Sequence, residues 1–322
     1  MKKVLVLVLT LLLVGCSSDD DGKIHIGILQ QLTHESLDLA YDGFIDALKD
    51  GGYKEGDNLV INYQNPNNDT SSLQTMSGVL VNDNPKLILA IGTSAAQSLS
   101  KETSDIAILG TAITDYVDVG LVKSNDKPGS NISGCSDFMN MEVQMNLIDD
   151  ILDDVQTIGL LYSSNEENSY IQAKEMKIEA QKRGWKVIEK TISDLTMVND
   201  TLLSMIDEIN ALYIPTDNQL ASSIASVDII AKEYQVPVFT GWDSGVKDGA
   251  LASVGVNYYD LGYQTGLYAI QLIENKVNIS ELPIYYSDYN KATIYYNSNT
   301  AKIINLNLSE NITKNAIDLA YK

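Results

Sequence analysis

Short apolar runs alternate with longer amphipathic runs along almost the whole chain, and this alternation limits the possible folds more than any other feature. The apolar runs predict strands at 24–29, 58–63, 87–91 and 106–109, and then at 157–162, 185–190, 211–214, 236–239 and 251–254. Apolar residues at helical spacing lie between most of them, as at Leu37, Ala40, Phe44 and Leu48. Two successive blocks of this kind predict an α/β protein with two Rossmann-like lobes, each a parallel sheet covered by helices on both faces.

In such sheets ligands bind at the carboxyl ends of the strands, so the site is expected in the cleft between the lobes. In the first lobe these ends carry the segments 30–36, 92–96 and 110–115. Their hydroxyl residues Thr93, Ser94 and Thr111 are suited to a carboxylate, because helix N-termini bind anions without Lys or Arg. Simple N-capping by Thr93 or Ser94 explains the same pattern and is compatible with ligand binding.

In the second lobe the strand ends carry the segments 163–169, 215–218 and 241–243. They offer carboxylates for an ammonium group and amides to orient it. Trp242 adds an aromatic surface for a ligand, or else packs into the core at the edge of the sheet. One lobe thus suits an anion and the other a cation, which together fit an α-amino acid zwitterion.

Composition and missing motifs exclude several classes of function. The net charge is -21 over 322 residues and no basic cluster occurs, which argues against nucleic-acid binding. Two histidines and two cysteines leave little material for a metal or redox site. The nucleophile-elbow, zinc-protease, dinucleotide and Walker patterns are absent, so we predict a non-enzyme with no cofactor and no metal. His34 is expected to form hydrogen bonds rather than act as a base, and Glu166 and Glu167 to lie on a solvated helix start.

The N-terminus predicts export and lipid anchoring. Residues 1–15 have the basic start and short apolar run of a secretory signal peptide, too short to span a bilayer. The end of this run, Leu13-Val14-Gly15-Cys16, matches the bacterial lipobox, which implies cleavage before Cys16 and lipidation of its thiol. Residues 16–23 then form a polar tether, and the protein is expected outside the cytoplasm, anchored to the bacterial cell membrane. An ordinary signal peptide with a chance cysteine is the alternative.

Several longer motifs resemble one known family over nearly the whole mature chain. The segments are 27–30, 34–37, 51–58, 63–65, 93–97, 111–115 and 134–137 in the first block, and 161–164, 213–218 and 256–262 in the second. In this order they are similar to the substrate-binding lipoproteins of ABC importers, specifically the tryptophan-binding type. The chain departs from the family pattern near Tyr116 and at Trp242.

The resemblance implies a type I periplasmic-binding-protein fold with a three-strand hinge. It places residues 24–136 plus 257–285 in the N-terminal lobe and 137–256 plus 286–322 in the C-terminal lobe. With Trp242 from the strand-end pattern, the predicted ligand-binding residues are Gln30, His34, Glu35, Ser36, Thr93, Ser94, Thr111, Ala112, Asp137, Asn168, Thr216, Asp217, Trp242 and Asn257. Thr93, Ser94 and Thr111 are expected to bind the carboxylate, and Asp137 or Asp217 the ammonium.

The resemblance also implies a function. We expect a monomer that closes on an aromatic amino acid, tryptophan, tyrosine or phenylalanine, and delivers it to an ABC permease in the membrane. A sensory lipoprotein that presents its closed form to a signalling receptor is the alternative. A hydrolase on the same two-lobe frame is disfavoured, because no nucleophile–base pair is found in the sequence.

Overall fold

The computed structural model describes residues 22–287 and 292–320; the predicted signal peptide, the predicted lipidation site Cys16 and the predicted tether up to residue 21 lie outside these ranges. The strands are β1 (Ile24–Gln30), β2 (Leu59–Gln64), β3 (Leu87–Ile91), β4 (Ala107–Ile113), β5 (Ile132–Ser136), β6 (Thr157–Ser163), β7 (Lys186–Ile192), β8 (Ala211–Ile214), β9 (Val238–Thr240), β10 (Ala252–Gly255), β11 (Tyr285–Tyr286), β12 (Thr293–Tyr296) and β13 (Ile317–Asp318). The α-helices are α1 (Glu35–Asp50), α2 (Thr70–Asn82), α3 (Thr93–Glu102), α4 (Met141–Ile151), α5 (Glu167–Lys182), α6 (Val198–Leu203), α7 (Asn218–Ala221), α8 (Ile224–Glu233), α9 (Ser244–Lys247), α10 (Tyr258–Ile273), α11 (Ser298–Ile303) and α12 (Glu310–Asn315). Short 3₁₀ helices cover Leu195–Met197, Ile206–Glu208 and Ile279–Glu281.

The first sheet has the strand order β11-β5-β4-β3-β1-β2, and all its pairs are parallel. Its central strand β3 is buried along its whole length, as its uniformly apolar sequence requires in a sheet covered on both faces. This sheet and its helices form the first lobe. The carboxyl ends of β1, β3 and β4 lie side by side, since Gln30 pairs with Ile91 and Ile91 pairs with Thr111.

The second sheet has the order β13-β12-β10-β9-β8-β6-β7 and forms the second lobe with its helices. Its pairs are parallel except for β10 with β12, which run antiparallel. The sequence pattern predicts only parallel strands. It misses β12 because the α-helix before this strand, α10, belongs to the first lobe, so the alternation of strand and helix is interrupted there.

The chain passes between the two sheets at three places. The first follows β5, between Ser136 and Met141, and the second follows β10, between Gly255 and Tyr258. The third lies between β11 and β12 and includes residues 288–291, which are outside the described ranges. Tyr286 pairs with Ser136 at the end of the first sheet, directly before this crossing.

Helices α1 and α10 pack against each other in the first lobe with very close backbone contact. A Cβ atom added to Gly262 would lie 1.9 Å from the carbonyl oxygen of Ala40, and one added to Gly43 would lie 2.1 Å from that of Tyr259. Only glycine allows this approach. The packing fixes the position of the N-terminal turn of α1, which lies at the cleft.

None of the helices in residues 22–287 and 292–320 has both the length and the apolar character needed to cross a bilayer.

Candidate functional site

The carboxyl edges of the two sheets face each other and are joined by side-chain contacts. Three consecutive residues at the start of α1 contact the second lobe. His34 Nε2 lies 3.1 Å from Asn218 Oδ1, Lys247 Nζ lies 2.7 Å from Glu35 Oε1, and the Ser36 and Ser244 hydroxyl oxygens are 3.0 Å apart. Gln97 Nε2 also donates to Glu167 Oε2 at 2.7 Å. The two lobes are therefore closed on each other.

The predicted carboxylate residues lie together at the ends of β3 and β4. Gly92, with φ +95°, turns the chain from β3 into α3, so that Thr93 and Ser94 form the first turn of a ten-residue helix. The backbone N–H of Gly92 donates to the carbonyl of Thr111 at 3.0 Å, which holds the two strand ends side by side. Thr93 and Thr111 are buried, and the Thr111 hydroxyl has no hydrogen-bond partner. A helix N-terminus beside a free hydroxyl is suited to an anion.

A bulge in β4 places Thr111 and Ala112 at this point. The pairing of β4 with β5 shifts register between Gly110 and Ile113, and Ala112 has φ +54°. A positive φ at a residue other than glycine is strained, and such strain is common at ligand sites. The bulge therefore redirects the strand end towards the cleft.

Asp137 follows β5 at the first crossing between the lobes and is buried. Its Oδ2 accepts a hydrogen bond from the hydroxyl of Tyr258 at 3.0 Å, whereas its Oδ1 is buried and has no partner. Burial raises the pKa of Asp137, and hydrogen bonds from Thr114 and Tyr258 offset part of that rise. A buried carboxylate with one free oxygen is suited to a cation such as an ammonium group.

In the second lobe, the amides of Asn168 and Gln172 hold the end of β8 at Thr216. Asn168 Nδ2 donates to the Thr216 carbonyl at 2.7 Å, and Gln172 Oε1 accepts from the Thr216 backbone N–H at 2.7 Å. The Oδ1 atom of Asn168 is buried and unpartnered. Asn168 can therefore accept one further hydrogen bond without any rearrangement.

Asp217 and Asn257 both serve as helix N-caps. Asp217 Oδ1 accepts from the backbone N–H of Leu220 at 2.8 Å, and its Oδ2 accepts from that of Ser163 at 2.6 Å. Asn257 is exposed and accepts from the backbone N–H of Asp260 at 3.2 Å. Each oxygen of the Asp217 carboxylate is thus already engaged within the second lobe.

Gln30 and Trp242 also take structural positions. Gln30 Nε2 donates to Asp38 Oδ1 at 2.6 Å and to the Leu32 carbonyl at 3.0 Å, which orders the segment between β1 and α1. Trp242 is 2% exposed and belongs to the main hydrophobic core. Of the two roles that the sequence leaves open for Trp242, the structure shows core packing.

Two carboxylates from the predicted strand-end segments 163–169 and 241–243 are not among the predicted ligand-binding residues, although they lie at the strand ends. Asp243 caps α9 by accepting from the Ser244 backbone N–H at 2.9 Å. Burial raises the pKa of Asp243 to about 6, with Glu35 adding to the rise. Burial raises the pKa of Tyr258, whose hydroxyl donates to Asp137, and the charges of Asp137 and Asp243 add to this rise.

Glu166 is the second of these carboxylates, and it is buried although the sequence predicts a solvated helix start. Its Oε2 accepts from the backbone N–H of Asn218 at 3.0 Å and from Asn218 Nδ2 at 2.8 Å, and its Oε1 accepts from the backbone N–H of Gln219 at 2.7 Å. Burial, with the neighbouring Asp217, raises the pKa of Glu166. Glu167 is exposed, as expected. No local sequence signal separates the two residues, because the partners of Glu166 come from a segment about fifty residues away.

Eight buried polar side-chain atoms in the described part of the chain have no hydrogen-bond partner. Four of them belong to residues predicted to bind ligand, namely His34, Thr111, Asp137 and Asn168. Buried polar groups are nearly always paired, and each unpaired one costs about 1–3 kcal/mol. Their collection along facing strand ends indicates a site for a small ligand with several polar groups. Within the described ranges, no group of three or more His, Cys, Asp or Glu side chains could hold a metal ion.

Comparison with known proteins supports this interpretation. The family model described as ABC transporter substrate binding protein matches residues 25–319. A tyrosine-binding protein from Clostridioides difficile (strain R20291) is 37% identical over 308 residues, which cover 92% of this chain and 88% of that protein.

Two solved structures of similar sequence identity match this chain to different extents. An ABC domain from Streptococcus pneumonia in complex with L-Trp is 33% identical and has a TM-score of 0.88. The match covers 91% of this chain and 98% of that one. A ligand-free, open structure of a substrate binding protein with adhesive properties from Clostridium difficile is 38% identical, with coverage of 93% of this chain and 100% of that one, but its TM-score is 0.71. The lobes are thus arranged more like those of the tryptophan complex, in agreement with the contacts across the cleft.

Proposed function

The chain belongs to the family of ABC transporter substrate-binding proteins, and within that family we propose that it binds an aromatic amino acid and delivers it to an ABC permease for import. Family membership and the solved relatives confirm two sequence predictions, a two-lobe type I periplasmic-binding-protein fold and a binding protein rather than an enzyme. The observation that carries the ligand class is the set of unpartnered buried atoms at the cleft. The tyrosine-binding and L-Trp-bound relatives support the aromatic side chain.

The ligand carboxylate is assigned to the first turn of α3 and to Thr111. The positive end of the α3 dipole stabilises an anion, although the Ser94 backbone N–H already donates to Gln31 Oε1 at 3.2 Å. The Thr111 hydroxyl supplies one more donor, since it is buried and otherwise unpartnered. No lysine or arginine is needed for this interaction.

The ligand ammonium is assigned to Asp137, with Asp243 as the carboxylate on the second lobe. Asp137 Oδ1 is free and buried, and the charge of Asp243 helps raise the pKa of Tyr258, the tyrosine that donates to Asp137. Asp217, the other residue expected for this role, has both oxygens engaged by backbone N–H groups. A cation held between a carboxylate at the first crossing and one on the second lobe would favour closure of the cleft.

Binding is expected to weaken as the pH falls, because the pKa of Asp243 is raised from 3.8 to about 6. The ligand ammonium binds the ionised form of the Asp243 carboxylate. Protonation of this carboxylate therefore reduces the affinity for the ligand by up to about tenfold for each pH unit below its pKa. The stability of the unliganded fold changes in the opposite direction. It should rise as the pH falls from about 6 towards 3.8, because the folded state then binds more protons than the unfolded state.

Calorimetric titrations from about pH 8 to about pH 5 measure this dependence. The variant Asp243→Asn should bind more weakly at the higher pH and show a flatter profile. If Asp243→Asn kept the wild-type dependence of affinity on pH, Asp243 would not be a carboxylate that binds the ammonium.

We also propose a lipid-anchored location and the lobe boundaries 24–136 plus 257–285 and 137–256 plus 286–322. Substrate-binding proteins of ABC transporters work outside the cytoplasm, which agrees with the predicted signal peptide at 1–15, the lipidated Cys16 and the tether at 16–23. The membership of β1–β5 in one sheet and of β6–β10 in the other supports the boundaries.

The ligand class is tested on the soluble protein beginning at residue 22. Mass spectrometry identifies small molecules released on denaturation, and thermal shift then measures saturation by each candidate, since a bound ligand raises the melting temperature. We expect a saturable shift with tyrosine, tryptophan or phenylalanine. A shift with a sugar, nucleoside or peptide, and with no amino acid, would keep the family and overturn the proposed ligand.

A further inference from the structure

His34 has one ring nitrogen in a cross-lobe contact and the other unused. Its Nε2 lies 3.1 Å from Asn218 Oδ1, while its Nδ1 is shielded from solvent and has no partner. Burial lowers the pKa of His34, so the ring is neutral near pH 7 and carries one N–H and one lone pair.

The surrounding network decides which nitrogen carries the proton. Asn218 donates to Glu166 Oε2 through both its backbone N–H and its Nδ2, at 3.0 and 2.8 Å. This fixes the amide so that its Oδ1 faces His34, and a carbonyl oxygen can only accept. Nε2 is therefore the donor, and Nδ1 is a buried acceptor.

A second free acceptor belongs to the same network. Asn168 Nδ2 donates to the Thr216 carbonyl at 2.7 Å and lies 3.4 Å from Glu166 Oε2, so its orientation is fixed as well. Its Oδ1 is buried and unpartnered. The cleft thus has two acceptors, His34 Nδ1 and Asn168 Oδ1, in a network that includes Glu166.

This network lies away from the atoms assigned to the ligand backbone. Asp137 follows β5 and His34 follows β1, and β4 and β3 lie between these strands. Three strand spacings correspond to about 14 Å between the strand ends. A ligand held by its ammonium at Asp137 and by its carboxylate at Thr111 has both backbone groups engaged, so it could reach His34 only with its side chain.

From this geometry we infer that His34 Nδ1 accepts a hydrogen bond from the tip of the ligand side chain. The inference rests on the proposed function and narrows it: the site selects aromatic amino acids with a ring O–H or N–H, tyrosine and tryptophan, over phenylalanine. Phenylalanine has no donor and leaves the buried acceptor unpaired. It should bind roughly 10- to 100-fold more weakly than the better of the other two.

The test is calorimetry of all three amino acids with wild type, His34→Phe and Ser36→Ala. His34→Phe keeps a planar ring but has no acceptor, so the preference over phenylalanine should fall to about threefold or less. Ser36→Ala is the matched control, because it removes a cross-lobe contact of the same segment and leaves His34 intact. It should reduce all three affinities equally and retain the preference.

Nitrogen NMR of the imidazole rings gives a readout independent of affinity. The chain has two histidines, so a His25→Gln variant assigns the signals of His34. We expect an Nε2–H tautomer whose Nδ1 signal moves with tyrosine or tryptophan and not with phenylalanine. Equal binding of all three amino acids to the wild type would overturn this inference alone, whereas binding of none would overturn the proposed function and this inference with it.

Discussion

Replacing Asp137 by asparagine should weaken binding of the aromatic amino acid by more than about 100-fold, the largest effect on affinity that we expect from one substitution. The ammonium group would lose its buried counter-ion, at a cost of about 3 kcal/mol or more. Asparagine keeps the size of the side chain and an oxygen for the Tyr258 hydroxyl, which donates to Asp137 at 3.0 Å.

The same variant should have a higher melting temperature than the wild type in the absence of ligand. Burial raises the pKa of Asp137, so its ionised form destabilises the unliganded fold near pH 7. Weaker binding together with greater stability is the signature of a charge retained for function. Calorimetry and thermal unfolding measure the two effects.

Asp217→Asn is the matched control for Asp137→Asn. It removes an acceptor from the backbone N–H of Ser163 or Leu220, so it should lower stability more than affinity. Wild-type affinity in Asp137→Asn, or a larger loss of affinity in Asp217→Asn, would reverse our assignment of the ammonium.

Replacing Gly262 by alanine should destabilise the protein by about 3 kcal/mol or more, the largest effect on stability that we expect. The added Cβ would lie 1.9 Å from the Ala40 carbonyl oxygen and 2.8 Å from Ala40 Cα, and backbone atoms cannot move aside as a flexible side chain can. Helices α1 and α10 would have to separate. The start of α1, with its three contacts to the second lobe, would shift with them.

Gly78→Ala is the control for Gly262→Ala. Gly78 also lies within a helix, but among the described residues outside that helix the nearest atom to an added Cβ is Glu102 Oε2 at 4.0 Å. Alanine there should be neutral or stabilising by about 0.5–1 kcal/mol, because it restricts the unfolded chain. Chemical denaturation of both variants measures the difference, and equal stabilities would contradict the helix-packing argument.

Much of the fold could be predicted from the sequence because the central strands are continuous apolar runs. The strand predicted at 87–91 matches β3 in full, and the one predicted at 211–214 matches β8. Strand β5 was missed, since its sequence Ile-Ser-Gly-Cys-Ser has little apolar character and is buried only by its neighbours. The two-residue strands β11 and β13 are too short to give any periodicity.

The site could be predicted only in part. Strand-end position located the hydroxyl residues, because the carboxyl ends of parallel strands always share one edge. It could not separate Asp217 from Asp243, because which carboxylate keeps a free oxygen depends on the N–H groups that other segments bring to it. It also could not separate Glu166 from Glu167, two identical neighbours of which one is buried and one exposed.

The contacts across the cleft have a consequence for how long a ligand stays bound. The crossings follow β5, β10 and β11, which lie on one side of the sheets, whereas the contacts at His34, Glu35 and Ser36 follow β1, towards the other side. The Lys247–Glu35 pair is partly exposed and contributes about 1 kcal/mol or less. Each of the other cross-lobe contacts is a single side-chain hydrogen bond, which contributes about 0.5–1.5 kcal/mol. We therefore expect the bound amino acid to add much of the stability of the closed form, so the residence time of each amino acid should follow the strength of its own hydrogen bonds.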